Sequence, residues 1–504
     1  MKEIVLTTIN AKWIHPSLAL RLLKANLNSL EEKCEIIEFN LRQPLAEKIE
    51  PLTAARPRIL GISVSIWNHL ATLELLEELE KTWAANSELY GTKPVIVLGG
   101  PEVTCLPEDA NIFRFADYVI RGEGETAFRL LCENIFEEGA QRLSGGIRRA
   151  FEKSLRTLFS DIMQNDVKNL KAAYHLYTDE DIAKKLIYVE ASRGCPFNCE
   201  FCLSAVKPKT EGQGDVVREF PLEPFLAEMD ALVLRGAKTF KFLDRTFNIN
   251  IDRAISIINF FLKKIEERKT RADLPPLTVH FEMVPSIFPP ELREVLTRFP
   301  PGSLRLEIGI QTLNAEVSAR IGRPSKPEKE LETLRFLREK TNAVIHADLI
   351  AGLPGEDLAS FGRGFDRLWL ALNGATLQSA EKTPAKNAPR AEIQLGILKF
   401  LPGAPISRHI EAFKMRYNPL PPYEIEETSS ISAPDLLRIK NFARFWELII
   451  NRSLAGFAET GPVFDKFMAL SDKLYAHFGR NWGIDKMDIF AQMRYISYME
   501  VHHE

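Results

Sequence analysis

The stretch EASRGCPFNCEFCLS, residues 190–204, governs how the rest of the chain is read. It sets Cys195, Cys199 and Cys202 at C-x3-C-x2-C spacing, three thiols within eight residues. In a chain with few other cysteines, thiols this dense point to metal ligation. Structural zinc takes four closed ligands, usually as two separated pairs. No second Cys pair follows here, and no His stands at ligand spacing beside the cluster. Ferredoxin runs carry four cysteines. A cubane cluster held by three thiolates instead keeps one iron open to an outside ligand, and the spacing favours that reading.

Outward from this stretch, short apolar runs alternate with helical periodicity. LIYVEAS (186–192), TFKFLD (239–244), LTVHFEMV (277–284), SLRLEIGIQ (303–311), NAVIHADLIAG (342–352) and AEIQLGILKFL (391–401) read as strands. Six β/α units in about 220 residues predict a partial (β/α)6 barrel, since a closed one takes eight. The front of the chain has its own series: EIVLTT (3–8), EIIEFN (35–40), RILGISVSI (58–66), PVIVLGG (94–100) and ADYVIRGEGE (116–125), with amphipathic stretches at 15–30 and 69–85. That alternation predicts an α/β, doubly wound parallel sheet covered on both faces. After Pro419, Pro421 and Pro422 the pattern becomes helical, with a start signal at Ser432. The expected domains are 1–140 (Rossmann-like), a linker at 141–185 around EEGAQRLSGGIRR, the partial barrel at 186–410, and a helical C-terminal domain at 411–504.

The 504 residues are 45% hydrophobic, with 65 Lys+Arg against 68 Asp+Glu. A net charge of -3 gives no bulk attraction to nucleic acid or anionic lipid. The N-terminus lacks a signal-peptide pattern, and apolar runs break well before the ~18 residues that span a bilayer. A cytoplasmic protein with no membrane partner is expected. Cys34, Cys105 and Cys132 stand alone and read as small buried hydrophobes.

The C-x3-C-x2-C run just after a first barrel strand, with Phe201 before the last cysteine, resembles the radical S-adenosylmethionine (radical SAM) superfamily. The resemblance implies a 4Fe-4S cluster on Cys195, Cys199 and Cys202 whose open iron is chelated by SAM. It further implies cleavage to a 5′-deoxyadenosyl radical and an electron donor such as flavodoxin or ferredoxin. SAM-binding positions would lie at strand ends, where barrel active groups gather. They are Asp244 in FKFLDRTFN, Glu282 in HFEMVP, Glu307 and Gln311 in LEIGIQT, and Gly352 in ADLIAGLPGE. The family's glycine-rich segment after the second strand is missing, so Leu243, Asp244 and Arg245 match by position alone. From the residues themselves, Asp244 and Glu282 could form local ion pairs, and Glu307 could pair with Arg305 or Arg323. His280 and His346 read as packing or capping residues.

In the front domain, VLGGPEVT (97–104) and DYVIRGEGETAF (117–128) follow the last two strands, at the edge where open α/β sheets bind ligands. Gly99, Gly100, Gly122 and Gly124 would let backbone approach a large flat ligand. Neither loop makes G-x-G-x-x-G, which disfavours NAD. INAKWIHPSLALRLL (9–23), LGGPEV and VIRGEGE, placed before a radical SAM core, resemble the front domain of cobalamin-dependent radical SAM enzymes. That implies cobalamin at Gly99, Gly100, Pro101, Glu102, Gly122, Glu123 and Gly124, with its own base displaced. The D-x-H-x-x-G signature that supplies a lower histidine ligand is absent, leaving His15 and His69 as candidates, each otherwise a helix cap or pocket wall.

The family resemblance implies methyl transfer to an unactivated carbon through the deoxyadenosyl radical and methylcobalamin. The alternatives are radical rearrangement or cyclisation of a small molecule, tRNA nucleoside modification, or a non-enzymatic cobalamin or iron–sulfur sensor. The substrate, small molecule or tRNA, is not named by the sequence. In the C-terminal region Arg438, Lys440, Arg444 and Arg452 interleave with Phe442, Phe445 and Trp446. Such a mixture can bind RNA, but a core-packing helix with a solvated basic side is the favoured reading.

Overall fold

The computed structural model describes residues 2–85, 93–138, 164–206, 217–269, 275–323, 325–378, 391–452 and 461–502. Most of the expected linker, 141–163, lies outside the described residues. The chain forms two compact units, Met1–Pro196 with Val206–Asp244, and Phe197–Ala205 with Arg245–Glu504.

In the first unit β1 (Ile4–Asn10), β2 (Cys34–Asn40), β3 (Ile59–Ser63), β4 (Val95–Gly99) and β5 (Tyr118–Val119) make a sheet of order β2-β1-β3-β4-β5. Every pairing is parallel. The intervening helices are α1 (Leu18–Ala25), α2 (Ala46–Ala55), α3 (His69–Ala85), the one-turn α4 (Pro101–Thr104) and α5 (Glu125–Glu138). Strand β1 buries nearly its whole length, as a parallel strand covered on both faces must. Val5, Leu60, Ile62 and Leu98 pack on one face against Leu75 and Leu79 of α3. Ile4, Leu6, Ile59 and Val97 pack on the other against Leu20 of α1 and Phe128 and Leu131 of α5. Each such buried side chain contributes roughly 1.5–3 kcal/mol. Cys34 and Cys132 belong to this second core, as expected of lone buried cysteines. The chain leaves β1 toward β2, then returns to the other side for β3. The loops after β1 and β3 therefore diverge, which opens a crevice at the carboxyl ends of the strands.

The same unit holds α6 (Asp179–Lys184) and β6 (Ile187–Val189), which pairs in parallel with β9 (Thr239–Phe242). Between them β7 (Ser192–Gly194) and β8 (Val217–Glu219) form an antiparallel ribbon, followed by α7 (Leu222–Leu234). The sequence suggests one strand running through Ser192, but β6 stops at Val189. The cause is Asp244, whose carboxylate accepts from the Ala191 N–H at 2.9 Å and the Ser192 hydroxyl at 2.6 Å, drawing both out of the ladder.

In the second unit α8 (Ile251–Lys269) leads to β10 (Thr278–Met283). The strands β11 (Leu304–Gln311), β12 (Val344–Ala351) and β13 (Ala391–Ile397) follow, parallel and in that order. Helices α9 (Pro290–Thr297), α10 (Ala315–Arg320), α11 (Pro327–Lys340) and α12 (Leu358–Gln378) connect them. Counted along the chain, β6 and β9 of the first unit and these four strands match the six expected barrel strands in number and order. Along β10, β11 and β12 every second residue is buried, and the alternate residues stay partly open. The open set includes His280, Glu282, Arg305, Glu307, His346 and Asp348.

A ribbon of β14 (Arg416–Tyr417) and β15 (Ile425–Glu427) precedes α13 (Ala433–Trp446), α14 (Phe464–Phe478) and α15 (Lys486–His502). Ser432 caps α13 by accepting from the Asp435 N–H. Phe442, Phe445 and Trp446 are buried, with Phe442 and Trp446 against Phe365 and Phe467. On the basic side Arg438 pairs with Asp435 and Asp472, Lys440 with Glu424, and Arg452 with Glu447. This stretch is a packing helix whose cations are largely neutralised in place. Among the described residues no helix is long and apolar enough to cross a membrane.

Candidate cofactor sites

The cysteine loop is fastened through its backbone. The Cys202 N–H donates to the Cys199 carbonyl at 3.0 Å, and the Glu200 N–H to the Ile321 carbonyl at 3.0 Å. Glu200 is buried and contacts Arg408 and His409, the latter at 2.8 Å, while its carbonyl accepts from the Ile406 N–H at 2.9 Å. The turn after α10 presses on the same loop. A side chain at Gly322, whose φ is +64°, would come 2.9 Å from the Asn198 carbonyl. Arg323 lies 3.8 Å from Cys199 Sγ and also donates to the Gly309 carbonyl. Burial pushes the Cys199 thiol up, and the Arg323 guanidinium opposes that rise. Among the described residues no group of three or more His, Cys, Asp or Glu side chains, the three cysteines included, is placed to hold a metal ion. The donor chemistry still fits an iron–sulfur cluster. The loop offers three thiols with a cation beside one of them, while its internal carboxylate is committed elsewhere.

The parallel register brings Glu282, Glu307, His346 and Glu392 to one level across β10–β13. Glu307 lies 3.1 Å from His280 Nε2, a partner on the neighbouring strand. Arg305 reaches past β12 to Glu392 at 2.8 Å and to His346 Nδ1 at 2.9 Å, and His346 Nε2 is 2.7 Å from Gln394. His280 and His346 thus belong to this charged row. Arg245 stands 3.5 Å from Glu282. At the end of β11 the register shifts, and Gln311 takes φ +69°. Its amide lies over Gly309, where a Cβ would sit 2.5 Å from Nε2. Gly352 makes the expected turn, with φ +89°, but Ile425 fills the space a side chain would take there. Asp244 is fully buried in the first unit, where burial pushes its carboxyl to about 7. Glu356, just past β12, is also buried and raised to about 7, and it accepts from Thr312 at 2.7 Å.

At the front sheet's carboxyl edge, His69 opens α3 and Glu102 lies in α4, and the two meet at 2.8 Å through Nδ1. Gly100 has φ +102°, and a Cβ there would collide with the Val64 carbonyl at 2.5 Å, so the turn itself demands glycine. At Gly99 a Cβ would meet nothing nearer than 3.8 Å, which leaves room beside the backbone. Pro101 begins α4, and the Gly122 N–H donates to Thr104 at 3.1 Å, tying the two glycine loops together. Gly124 packs near Leu23. Glu123 is drawn away to Arg193, Arg218 and Asn165. His15 accepts from or donates to the Tyr188 hydroxyl at 2.8 Å, and burial with Lys12 and Lys241 holds its imidazole below the usual value. Around this edge Trp13 and Trp67 are 48% and 54% exposed, joined by Ile14 and Leu41 on the loops after β1 and β2 and by Leu70 in the first turn of α3. An exposed aromatic rim beside a side-chain-free backbone fits a broad, flat ligand such as cobalamin.

Sequence reasoning missed Glu200, Arg408, His409 and Glu356, whose partners lie far along the chain. It also missed Arg193 and Glu190, three residues apart, whose opposite charges beside the cysteines were the one local clue.

Comparison with known proteins agrees with this layout. The B12 binding domain model matches residues 4–132 and the radical SAM superfamily model residues 189–367. An uncharacterized methyltransferase of Pyrococcus horikoshii is 32% identical over 170 residues, 32% of this chain and 36% of the relative. One from Synechocystis is 33% identical over 129 residues, 25% of this chain and 21% of the relative. The matched region thus spans about a third or less of these relatives' lengths. The fold is shared with the cobalamin-dependent SAM radical enzyme OxsB, at TM-score 0.62 and 16% identity over 99% of this chain and 75% of that one. It is shared too with the radical SAM methyltransferase TsrM from Kitasatospora setae, at TM-score 0.56 and 18% identity over 83% and 79%. With a B12 binding domain ahead of a radical SAM core on one such fold, the chain belongs to the cobalamin-dependent radical SAM enzymes.

Proposed function

We propose that this chain is a methyltransferase that places a methyl group on an unactivated carbon. The observation that carries the radical half is the donor set of the cysteine loop. Glu200 is taken by Arg408 and His409, leaving Cys195, Cys199 and Cys202 as ligands and one iron for SAM. The methyl half is supported by the B12 binding domain and by the two curated relatives, both named methyltransferases. When bound, the cluster with SAM supplies a carbon radical and cobalamin supplies the methyl group.

The chain's own residues orient these groups and keep water out. Asp244 fixes the backbone leading into Cys195, and Arg323 sets a positive charge against Cys199. Asp244, Glu282, Glu307, Gln311 and Gly352 are the positions assigned to SAM. Gly99, Gly100, Pro101, Glu102, Gly122, Glu123 and Gly124 are those assigned to cobalamin, with His15 and His69 nearby. In this reading 1–140 is the cobalamin domain, 141–185 a linker, 186–410 the radical core, and 411–504 a helical domain shaping substrate choice. The enzyme works in the cytoplasm on a small molecule or tRNA and takes electrons from flavodoxin or ferredoxin.

The test is anaerobic reconstitution with iron, sulfide and cobalamin, then incubation with SAM and a reductant. 5′-Deoxyadenosine is expected, with S-adenosylhomocysteine alongside it when substrate is present. No deoxyadenosine would refute radical chemistry, and deoxyadenosine without S-adenosylhomocysteine in turnover would favour rearrangement.

A further inference from the structure

Five charged side chains centred on Arg193 join the loop after β5 to the segment that enters the cysteine loop. Arg193 lies on β7, two residues before Cys195. Its Nη2 is 2.6 Å from Glu190 Oε1 and 2.7 Å from Glu125 Oε1, and its Nη1 is 3.4 Å from Glu123 Oε2. Arg218, across the ribbon on β8, holds Glu123 at 3.0 Å. Asn165 ties the two carboxylates together, its N–H donating to Glu123 at 2.8 Å and its side-chain amide to Glu125 at 2.7 Å. Arg193, Glu190 and Glu125 are each almost sealed from water, with side chains 12%, 11% and 7% exposed.

The plain reading is structural glue, because two buried carboxylates and a partly buried third require the two guanidiniums. The placement goes further than glue requires. Glu123 and Glu125 belong to the RGEGE loop at the edge of the front sheet, and Arg193 is separated from Cys195 by Gly194 alone. A guanidinium is a planar fork with donors at fixed angles, so it cannot satisfy Glu123, Glu125 and Glu190 independently of one another. A ligand that shifts the RGEGE loop therefore moves Arg193 or breaks a buried ion pair.

We propose that Arg193 is a positioning residue through which cobalamin bound at the front sheet's edge and a cluster bound at the cysteine loop stabilise each other. The proposal rests on the function argued above. Such coupling is reciprocal, so it can be read from either ligand. Hydroxocobalamin affinity is measured by tryptophan quenching on the full-length chain, with and without the reconstituted cluster. The wild type should bind at least about fivefold more tightly with the cluster present, the lower end of usual couplings. Glu125→Gln, which keeps size but loses charge, and Arg193→Lys, which keeps charge but not the fork, should bring that ratio close to one. A merely structural role would weaken both affinities and leave the ratio alone.

A wild-type ratio near one overturns the proposal outright, as does a ratio retained in Glu125→Gln. If Arg193→Lys fails to take up a cluster, Glu125→Gln carries the comparison. A chain that binds no cobalamin or no cluster would instead refute the functional reading, a separate outcome.

Discussion

The front sheet's carboxyl edge and the inner face of β10–β13 are both surfaces offered by parallel strands, yet they are dressed in opposite ways. The edge shows Trp13, Ile14, Leu41, Trp67 and Leu70 around glycine turns. The inner face shows Glu282, Glu307, His346 and Glu392 in one row, with Arg305 and His280 between them. An apolar rim gains by shedding water from a wide, flat area and asks little of direction. A charged row persists away from water only when its members are paired, and pairing fixes the orientation and protonation of each. The first suits holding a large ring, the second suits aiming a small polar group.

The largest test of this contrast separates the two regions outright. Cys199→Ala should remove the iron chromophore and abolish SAM cleavage, while cobalamin still binds the front edge with reduced affinity. Retained deoxyadenosine formation would overturn the ligand assignment. Trp67→Ala strikes the other side. It should weaken cobalamin about tenfold, or about 1.4 kcal/mol, the scale of one lost aromatic contact. Iron content should stay unchanged. An unaltered cobalamin affinity, measured by titration, would mean the rim is not where the ring lies.

Asp244 gives a smaller effect with a definite sign. Burial lifts its carboxyl to about 7 despite hydrogen bonds from Ser192 and Ala191, against an ordinary value of 3.8. Between these values the native state keeps a proton that the unfolded chain has lost. Its contribution to stability is therefore fully present at low pH and declines as the pH rises through about 7. Asp244→Asn, which can still accept from Ala191, should gain in unfolding temperature over the wild type as the pH goes from about 5 to about 8. A difference that does not change with pH would show that the native carboxyl is ionised throughout.

These cases also mark what could be read from sequence. The cysteine spacing, the alternating strands and the glycine loops are local signals, and the strands and glycine turns form where they were expected. Glu307 was a different matter. Its strand, its neighbours and its charge were visible, but its partner was not, because a parallel register is set by the packing of whole β/α units. Arg305 looked adjacent and in fact reaches two strands over to Glu392. Glu200 was hidden for the same reason: His409 lies 209 residues further on. The end of the first barrel strand was misjudged because Asp244, 53 residues from Ala191, competes for backbone that would otherwise extend the ladder. Periodicity reports which face a residue occupies, not what waits there.

The smallest effect asks whether the inner row is truly charged. His346 Nδ1 has two suitors, an Arg305 N–H at 2.9 Å, which needs a bare nitrogen, and Glu392 at 3.2 Å, which favours a protonated one. Burial lowers the imidazole's value, but the hydrogen bond to Glu392 and the charges of Asp348 and Glu392 outweigh it and raise the value above 6.5. A histidine raised in this way stabilises the fold fully below its unfolded value and loses that contribution as the pH climbs through the folded one. The gap in unfolding midpoint between the wild type and His346→Asn should therefore narrow steadily from slightly acidic to alkaline pH. Trp67→Ala, on the apolar rim, should show no such trend. A constant gap for His346→Asn would mean that the imidazole is neutral throughout and that Arg305 alone answers Glu392. The inner face would then be a chain of neutral hydrogen bonds around one ion pair, and its difference from the front edge would be one of direction rather than of charge.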